Sequence, residues 1–282
     1  MSRPGREHEL GRVRRLVPYG PHPDQAVELS LPRGVAPPGG WPVVVLLHGG
    51  FWRQAYGRDL MGPLADDLVD RGVLAWNVEY RRVRGAGGWP ATFEDVAAAI
   101  DHLALLTAEL PIDLQRVVVV GHSAGGHLAL WLAGRAGRPV DAPGGPPGVH
   151  PAMVVGQAPV ASLVAADRLG LSDGAVRELL GGGPLDVPRR WRVADPLRWV
   201  GHGVPVVLVH GPDDEVVPVS LADDYAVAAL AAGDEVEVVR TDGDHMAVID
   251  PRHAAWEAIL QRLAPILDRP GPTGALVGPH PR

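Results

Sequence analysis

"VVVVGHSAGGHLALWLA", Val117 to Ala133, decides the fold. Four valines form an apolar run of strand type, Gly121 and Gly125 bracket His122-Ser123-Ala124, and a small, apolar stretch of helical composition follows at once. This is G-x-S-x-G in the setting that gives it meaning, strand, tight turn, helix. The chain must turn so sharply that a Cβ at either flanking position would strike the neighbouring strand or helix, which accounts for both glycines. The serine hydroxyl then projects above the C-terminal edge of a sheet, at a helix N-terminus, where developing negative charge is favoured. A Gly/Ser helix cap would also place a serine here, but it requires neither the valine strand before it nor the small-residue helix after it. Ser123 is therefore the candidate nucleophile, and the Ala124 amide a candidate oxyanion donor.

A serine is unreactive near neutral pH without a histidine to take its proton and a carboxylate to orient that histidine. Behind a nucleophile of this kind the acid comes first and the histidine second. Of twelve histidines, His245, His253 and His280 follow a plausible acid. His280 lies in a Pro/Gly-rich end, His253 inside the start of the last helical pattern, and His245 in "TDGDHMAVID", a turn-forming loop directly after the last strand. His245 is the candidate base. "HGPDDEVVP" sets Asp213, Asp214 and Glu215 just past the preceding strand. Asp214, which begins the turn, is the preferred acid, with Asp213 as its rival. Asp242 and Asp244 read as turn residues.

Working outward, short strand-like runs alternate with longer helical ones, the pattern of an α/β protein with a mostly parallel sheet. The strands expected to be covered on both faces are Val43–His48, Val73–Tyr80, Arg116–His122, Ala152–Ala158, Val204–Gly211 and Glu235–Thr241. "VRRLVPYG" and "AVELSLP" precede them with no helix between and suggest an antiparallel pair at one edge, making eight strands. Helices are expected over Arg58–Arg71, Thr92–Glu109, Ala124–Arg135, Ser220–Ala232 and Pro251–Leu267. One domain over residues 1–268 accommodates all of this, with 269–282 expected to be a disordered tail. Ser162–Val200 is too long for a simple connection and is expected to form a small cap insertion.

The composition narrows the chemistry. The 282-residue chain is 46% hydrophobic and 21% charged, with a formal charge of −7 and no cysteine. The negative balance argues against nucleic acid or an anionic membrane as partner. The absence of cysteine excludes thiolate catalysis and cysteine-ligated metal centres. Metal hydrolysis would have to use His48, His122 and His127, but His122 and His127 stand five apart, off the i, i+4 spacing of paired ligands on a helix. No metal and no cofactor are expected, and His48, His122 and His210 are read as making local hydrogen bonds at strand ends. A polar N-terminus and the lack of any membrane-length apolar run lead us to expect a cytoplasmic protein. Homodimers are the commonest assembly, so a homodimer is the default expectation.

Together these residues resemble the α/β-hydrolase superfamily, and within it the branch of small carboxylesterases, carbohydrate and feruloyl esterase-like proteins and kynurenine formamidases (arylformamidases). The resemblance is carried by "HGGFWR" (His48–Arg53), "NVEYR" (Asn77–Arg81), "GGWPATFEDVAAAIDHL" (Gly87–Leu103), "GHSAGGHLAL" (Gly121–Leu130), "HGPDDEVVP" (His210–Pro218) and "GDHMAVID" (Gly243–Asp250). It implies that His48–Trp52 forms an oxyanion loop in which the amides of Gly50 and Phe51 join that of Ala124. It also implies that Trp52 and His122 border the substrate pocket, while Trp52 reads equally as a residue packed beneath the loop. The chain departs from the formamidase picture in having only 2 Phe and 4 Tyr, so an aryl clamp would have to draw on tryptophans such as Trp89, Trp191 and Trp199, with Trp131 read as core. The expected activity is hydrolysis of small acyl or aryl esters through an acyl-enzyme. Arylformamidase activity on N-formylkynurenine is the alternative, and a non-catalytic binding protein on the same fold the second.

Overall fold

Alternation along Val43–Leu47 gives the sheet two cores. A strand sends successive side chains to opposite faces, so an all-apolar strand must be covered on both. A computed structural model describes residues 13–269. Of the expected tail, residues 270–282 lie outside them. The strands are β1 (Val13–Pro18), β2 (Ala26–Leu31), β3 (Trp41–Leu47), β4 (Leu74–Val78), β5 (Ile112–His122), β6 (Met153–Gln157), β7 (Val206–His210) and β8 (Val236–Arg240). They form one sheet in the order β1-β2-β4-β3-β5-β6-β7-β8. β1 pairs antiparallel with β2, and β2 with β4, while the remaining pairs are parallel.

On one face Val43, Val45 and Leu47 join Trp76, Val117 and Val119 against α2 (Ala91–Leu106) and α3 (Ala124–Ala133), which contribute Phe93, Ile100, Leu128 and Trp131. On the other, Val44, Leu46, Val118 and Val120 meet α1 (Gly62–Asp70) and a C-terminal helix, Ala254–Leu267, through Leu64, Leu68, Trp256 and Ile259. Each such large side chain contributes roughly 1.5–3 kcal/mol on full burial. Two of the buried indoles keep a polar partner: Trp76 donates to the Ala99 carbonyl at 2.9 Å and Trp256 to Asp67 at 2.7 Å.

Several boundaries differ from expectation for local reasons. The expected Arg58–Arg71 helix splits into a 3-10 turn, Arg58–Met61, and α1, which begins at Gly62-Pro63. Strand β5 starts at Ile112, four residues early. Its first part is hidden by Asp113 and Gln115, and Asp113 pairs with the buried Arg116, whose guanidinium also donates to the carbonyls of Gly40, Leu267 and Arg269. His253 precedes the last helix as its N-cap, accepting from the Ala255 amide at Nδ1, instead of lying inside it. Residues 162–200 hold three short helices, α4 (Leu163–Arg168), α5 (Ala175–Leu180) and α6 (Pro188–Ala194), and a 3-10 turn, Pro196–Trp199. The remaining helices are α7 (Ser220–Ala231) and α8 (Ala254–Leu267). Among the described residues no helix is long and apolar enough to cross a membrane.

Candidate active site

The parallel strands end together along one edge, and the turns that leave it bring the singled-out residues into one cleft. Ser123 sits between β5 and α3 at φ 55°, ψ −114°, a conformation that costs roughly 1–3 kcal/mol in a residue with a Cβ. Its surroundings hold it there. Its amide donates to the Gln157 carbonyl at 2.8 Å, and its own carbonyl accepts from His127 and Val160. A Cβ on Gly121 would lie 2.1 Å from the Gly125 carbonyl oxygen, and one on Gly125 2.1 Å from that of Leu47. No side chain fits at either position. The hydroxyl is buried and makes no hydrogen bond among the described residues, as is common for nucleophiles before substrate tightens the site.

His245 follows β8 on a short loop and donates from Nδ1 to Asp214 Oδ2 at 2.7 Å. Asp214 is bound from four directions. Its Oδ1 accepts the amides of Val216 (2.8 Å) and Val217 (2.9 Å), and Oδ2 also lies 3.2 Å from His210 Nε2. Burial works against its charge, but the bonds to His210, His245 and the Val217 amide outweigh it and hold the carboxyl well below the usual range. Asp213 and Glu215 are exposed. The adjacent carboxylates are thus told apart by where the turn points them. Asp244 accepts the amides of Met246 and Ala247 at 2.9 Å, the turn-closing part expected of it.

His122 is buried, with Nε2 donating to the His245 carbonyl at 2.9 Å and its ring 4.7 Å from the His245 ring. Burial, followed by the proximity of His245, pushes it down to about 3, so it is neutral. Gln157, to which sequence reasoning assigned no role, donates Nε2 to the Val248 carbonyl. The loop carrying His245 is therefore stapled to β5 and β6 beside Ser123.

The loop after β3 carries three consecutive left-handed residues, Gly50 (φ 105°), Phe51 (49°) and Trp52 (57°). Among the described residues, the amides of Gly50 and Phe51 donate to no backbone carbonyl. His48 anchors the loop's base: Nε2 is 2.9 Å from Glu79, the ring stacks on Tyr80 at 4.4 Å, and Tyr80 donates its hydroxyl to the His48 carbonyl. Glu79 was missed as a participant because His48 lies 31 residues before it in the chain. It also pairs with Arg82 and accepts the Arg58 amide. Burial raises its carboxyl, and the bond to His48 with the charge of Arg82 more than reverses that.

The cleft holds about 210 Å³ and is lined by Gly50, Phe51, Tyr56, Leu60, His122, Ser123, Val216, His245 and Met246. Trp52 is not among them. Expected beside the pocket, it is fully buried in the core beneath the loop, edge-on to His127 at 5.1 Å. A large indole directly behind a glycine turn carried both readings, and burial decides for packing. Trp89, Trp131, Trp191 and Trp199 also stand apart from the lining, while Tyr56, which sequence reasoning passed over, lies directly against Gly50. His48, His122 and His127 each commit Nε2 to a separate partner, and among the described residues no group of three His, Asp or Glu is placed to hold a metal ion.

Comparison with known proteins agrees with this architecture. The BD-FAE family model matches residues 28–227, well over half of the chain, and the chain belongs to that family of α/β-hydrolases. Among curated relatives, esterase LipQ of Mycobacterium tuberculosis is 25% identical over 245 residues, covering 82% of this chain and 56% of LipQ. Carboxylesterase NlhH of the same species is 37% identical over 107 residues, covering 38% of this chain and 32% of NlhH. The chain thus spans only about half, or less, of the length of these relatives. A truncated carbohydrate esterase from gut microbiota superposes with a TM-score of 0.79 at 18% identity, covering 94% of this chain and all of that one. Est2 of Thermogutta terrifontis, an esterase with butyrate bound, gives 0.72 at 22% identity, covering 90% and 93%. At these identities the structural likeness speaks for the fold.

Proposed function

We propose that this member of the BD-FAE family is a serine carboxylesterase that cleaves esters of small, apolar acyl groups through an acyl-enzyme. The observation that carries the reading is His245, bonded to Asp214 at 2.7 Å and sharing one small cleft with a serine held on a strained strand-to-helix turn. In the reaction, His245 Nε2 takes the Ser123 proton as Oγ attacks the carbonyl carbon. The amides of Gly50, Phe51 and Ala124 receive the oxyanion, each such donor being worth about 2.7–4 kcal/mol in the transition state. The leaving alcohol collects the proton from His245, and water then repeats the sequence on the acyl-enzyme. Asp214 keeps the His245 proton on Nδ1 and stabilises the imidazolium, while the neutral His122 adds no competing charge beside it.

The lining supports the acyl preference. Phe51, Leu60, Val216 and Met246 present apolar surface, and the one charged-capable group besides His245 is the neutral His122. The butyrate held by the similar Est2 is an acyl group of the size such a cleft would take. Cleavage of N-formylkynurenine is the second reading, and an aryl clamp for it would rest on Phe51 and Tyr56, because the tryptophans lie elsewhere. Competition between p-nitrophenyl butyrate and N-formylkynurenine tests the choice. The ester should be preferred in kcat/KM by at least tenfold, and equal or greater kcat/KM on the formamide would overturn the assignment.

A further inference from the structure

Two strained turns face each other beside the cleft, and a single guanidinium joins them. One is the left-handed run Gly50-Phe51-Trp52. The other, in segment 162–200, is Ser172 (φ 49°), Asp173 (51°) and Gly174 (77°), immediately before α5. Arg53, the residue that leaves the first run, donates Nη1 to Ser172 Oγ at 2.8 Å, Nη2 to the Ser172 carbonyl at 2.6 Å and Nε to Glu178 on α5 at 3.1 Å. The other oxygen of Glu178 accepts Arg84 Nε at 2.6 Å. Arg84 is itself left-handed (φ 65°) and adjoins Val83, which forms a β-bridge with Arg53 and donates to the Trp52 carbonyl at 2.8 Å. Every residue from Gly50 to Arg53 is thus either strained or tied, directly or through Val83-Arg84, to one carboxylate and one serine of the inserted segment.

A surface ion pair alone contributes little to stability. This part-buried one differs in where it acts. Left-handed non-glycine residues persist only where the surroundings over-determine them. Phe51 and Trp52 carry that strain in the loop whose amides are left free. Without Arg53's anchor the loop can relax toward ordinary backbone angles, and its N–H groups then turn away from the carbonyl oxygen. The Glu178 carboxyl lies below its ordinary range, held there first by Arg84 and then by Arg53, consistent with a charged bridge. We propose that Ser172 and Glu178 act through Arg53 as positioning residues, holding the Gly50–Trp52 loop in its donor-presenting conformation, so that segment 162–200 governs turnover although none of it lines the cleft. The proposal rests on the esterase reading above.

The test compares Arg53→Met, Arg53→Lys, Glu178→Gln and Ser172→Ala with wild type in hydrolysis of p-nitrophenyl butyrate and in inhibition by 1-butaneboronic acid, whose tetrahedral adduct on Ser123 places an oxygen in the oxyanion hole. Loosened donors should lower kcat about 10- to 100-fold in Arg53→Met, with KM changed less than threefold. Boronate affinity should fall in parallel, Arg53→Lys should recover part of both, and Glu178→Gln and Ser172→Ala should show smaller losses of the same kind. If Arg53→Met does not fold, Glu178→Gln decides alone. Unchanged kcat and boronate affinity in these variants, or losses that follow melting temperature with KM rising in step, would overturn the proposal. Ser123→Ala is assayed beside them. If wild type does not hydrolyse the ester, or Ser123→Ala retains wild-type hydrolysis, the reading of a serine esterase acting through Ser123 has itself failed. If Ser123→Ala is inactive while Glu178→Gln matches wild type, only the positioning role has failed.

Discussion

Replacing Asp214 by asparagine should inactivate the protein by imposing the wrong histidine tautomer, and the hydrogen bonds around that carboxylate say why. Two amide N–H groups, of Val216 and Val217, point at Oδ1 from 2.8 and 2.9 Å. An asparagine must keep its oxygen there, because an NH₂ would face two donors. The NH₂ is then forced into the place of Oδ2, 2.7 Å from His245 Nδ1. It can only donate, so Nδ1 must accept and the imidazole proton moves to Nε2, the atom that has to receive the Ser123 proton. The other neighbour, His210, cannot relieve this, since its Nε2 also points at the Val217 carbonyl at 2.9 Å. A histidine locked in this tautomer costs roughly 10⁴-fold in kcat, or about 5 kcal/mol of barrier. The assay is steady-state hydrolysis of p-nitrophenyl butyrate across pH, with thermal melting to establish folding. The variant should melt close to wild type. With proton removal left to solvent hydroxide, its kcat/KM should climb with pH through the range where wild type is flat. Asp213→Asn, at an exposed position, should stay within twofold of wild type. A loss of less than tenfold in Asp214→Asn, or an equal loss in Asp213→Asn, would refute the reasoning.

Three further outcomes follow from the same structure. Gly50→Ala keeps the peptide N–H but sets a Cβ about 2.4 Å from the Tyr56 side chain at a backbone φ of +105°, so kcat should fall about 100-fold, one donor's worth, and a kinetic assay showing no change would place the oxyanion elsewhere. Asp95 is fully buried on α2 and accepts the Arg81 guanidinium at 2.8 and 2.6 Å, the Arg81 amide at 2.9 Å and the Gln25 side chain at 2.7 Å; Asp95→Ala should cost about 1–3 kcal/mol in urea unfolding, since it leaves these donors without their acceptor. Burial pushes His127 down to about 3, whereas an unfolded histidine titrates near 6.5, so between those values the unfolded chain binds a proton the native one refuses and stability falls as pH is lowered; His127→Gln should flatten that fall by about 1.4 kcal/mol per pH unit, as read from unfolding free energies between pH 4 and 6.

The strands were readable because each is a short apolar run closed by glycine or proline, and the candidate nucleophile because two glycines and a serine at such a strand end have a steric reason to be there. The candidate acid and base could be ordered along the chain and Asp214 preferred to Asp213 by its place in the turn, and the backbone path then points Asp214 at His245 and leaves Asp213 exposed. What stayed hidden is long-range. Glu79 acts on a histidine 31 residues earlier and Glu178 on an arginine 125 residues earlier, and a charged residue on a helix face looks the same whether it meets solvent or a partner. Trp52 illustrates the reverse problem. An aromatic next to a glycine turn fits a pocket wall and a core plug equally well, and only the path of the backbone, left-handed through Phe51 and Trp52, sends the indole inward. The early start of β5 was masked because Asp113 and Arg116 neutralise each other inside the protein, so a polar interruption in the sequence is not one in the sheet.

The central claim, an acyl-enzyme on Ser123, is tested most directly by intact and peptide mass spectrometry of the protein quenched during turnover of p-nitrophenyl butyrate. A transient addition of one butyryl group is expected, located on the peptide containing Ser123 and absent from Ser123→Ala, with Asp214→Asn acylating far more slowly. Butyryl on a different residue, or undiminished ester hydrolysis by Ser123→Ala, would contradict that claim.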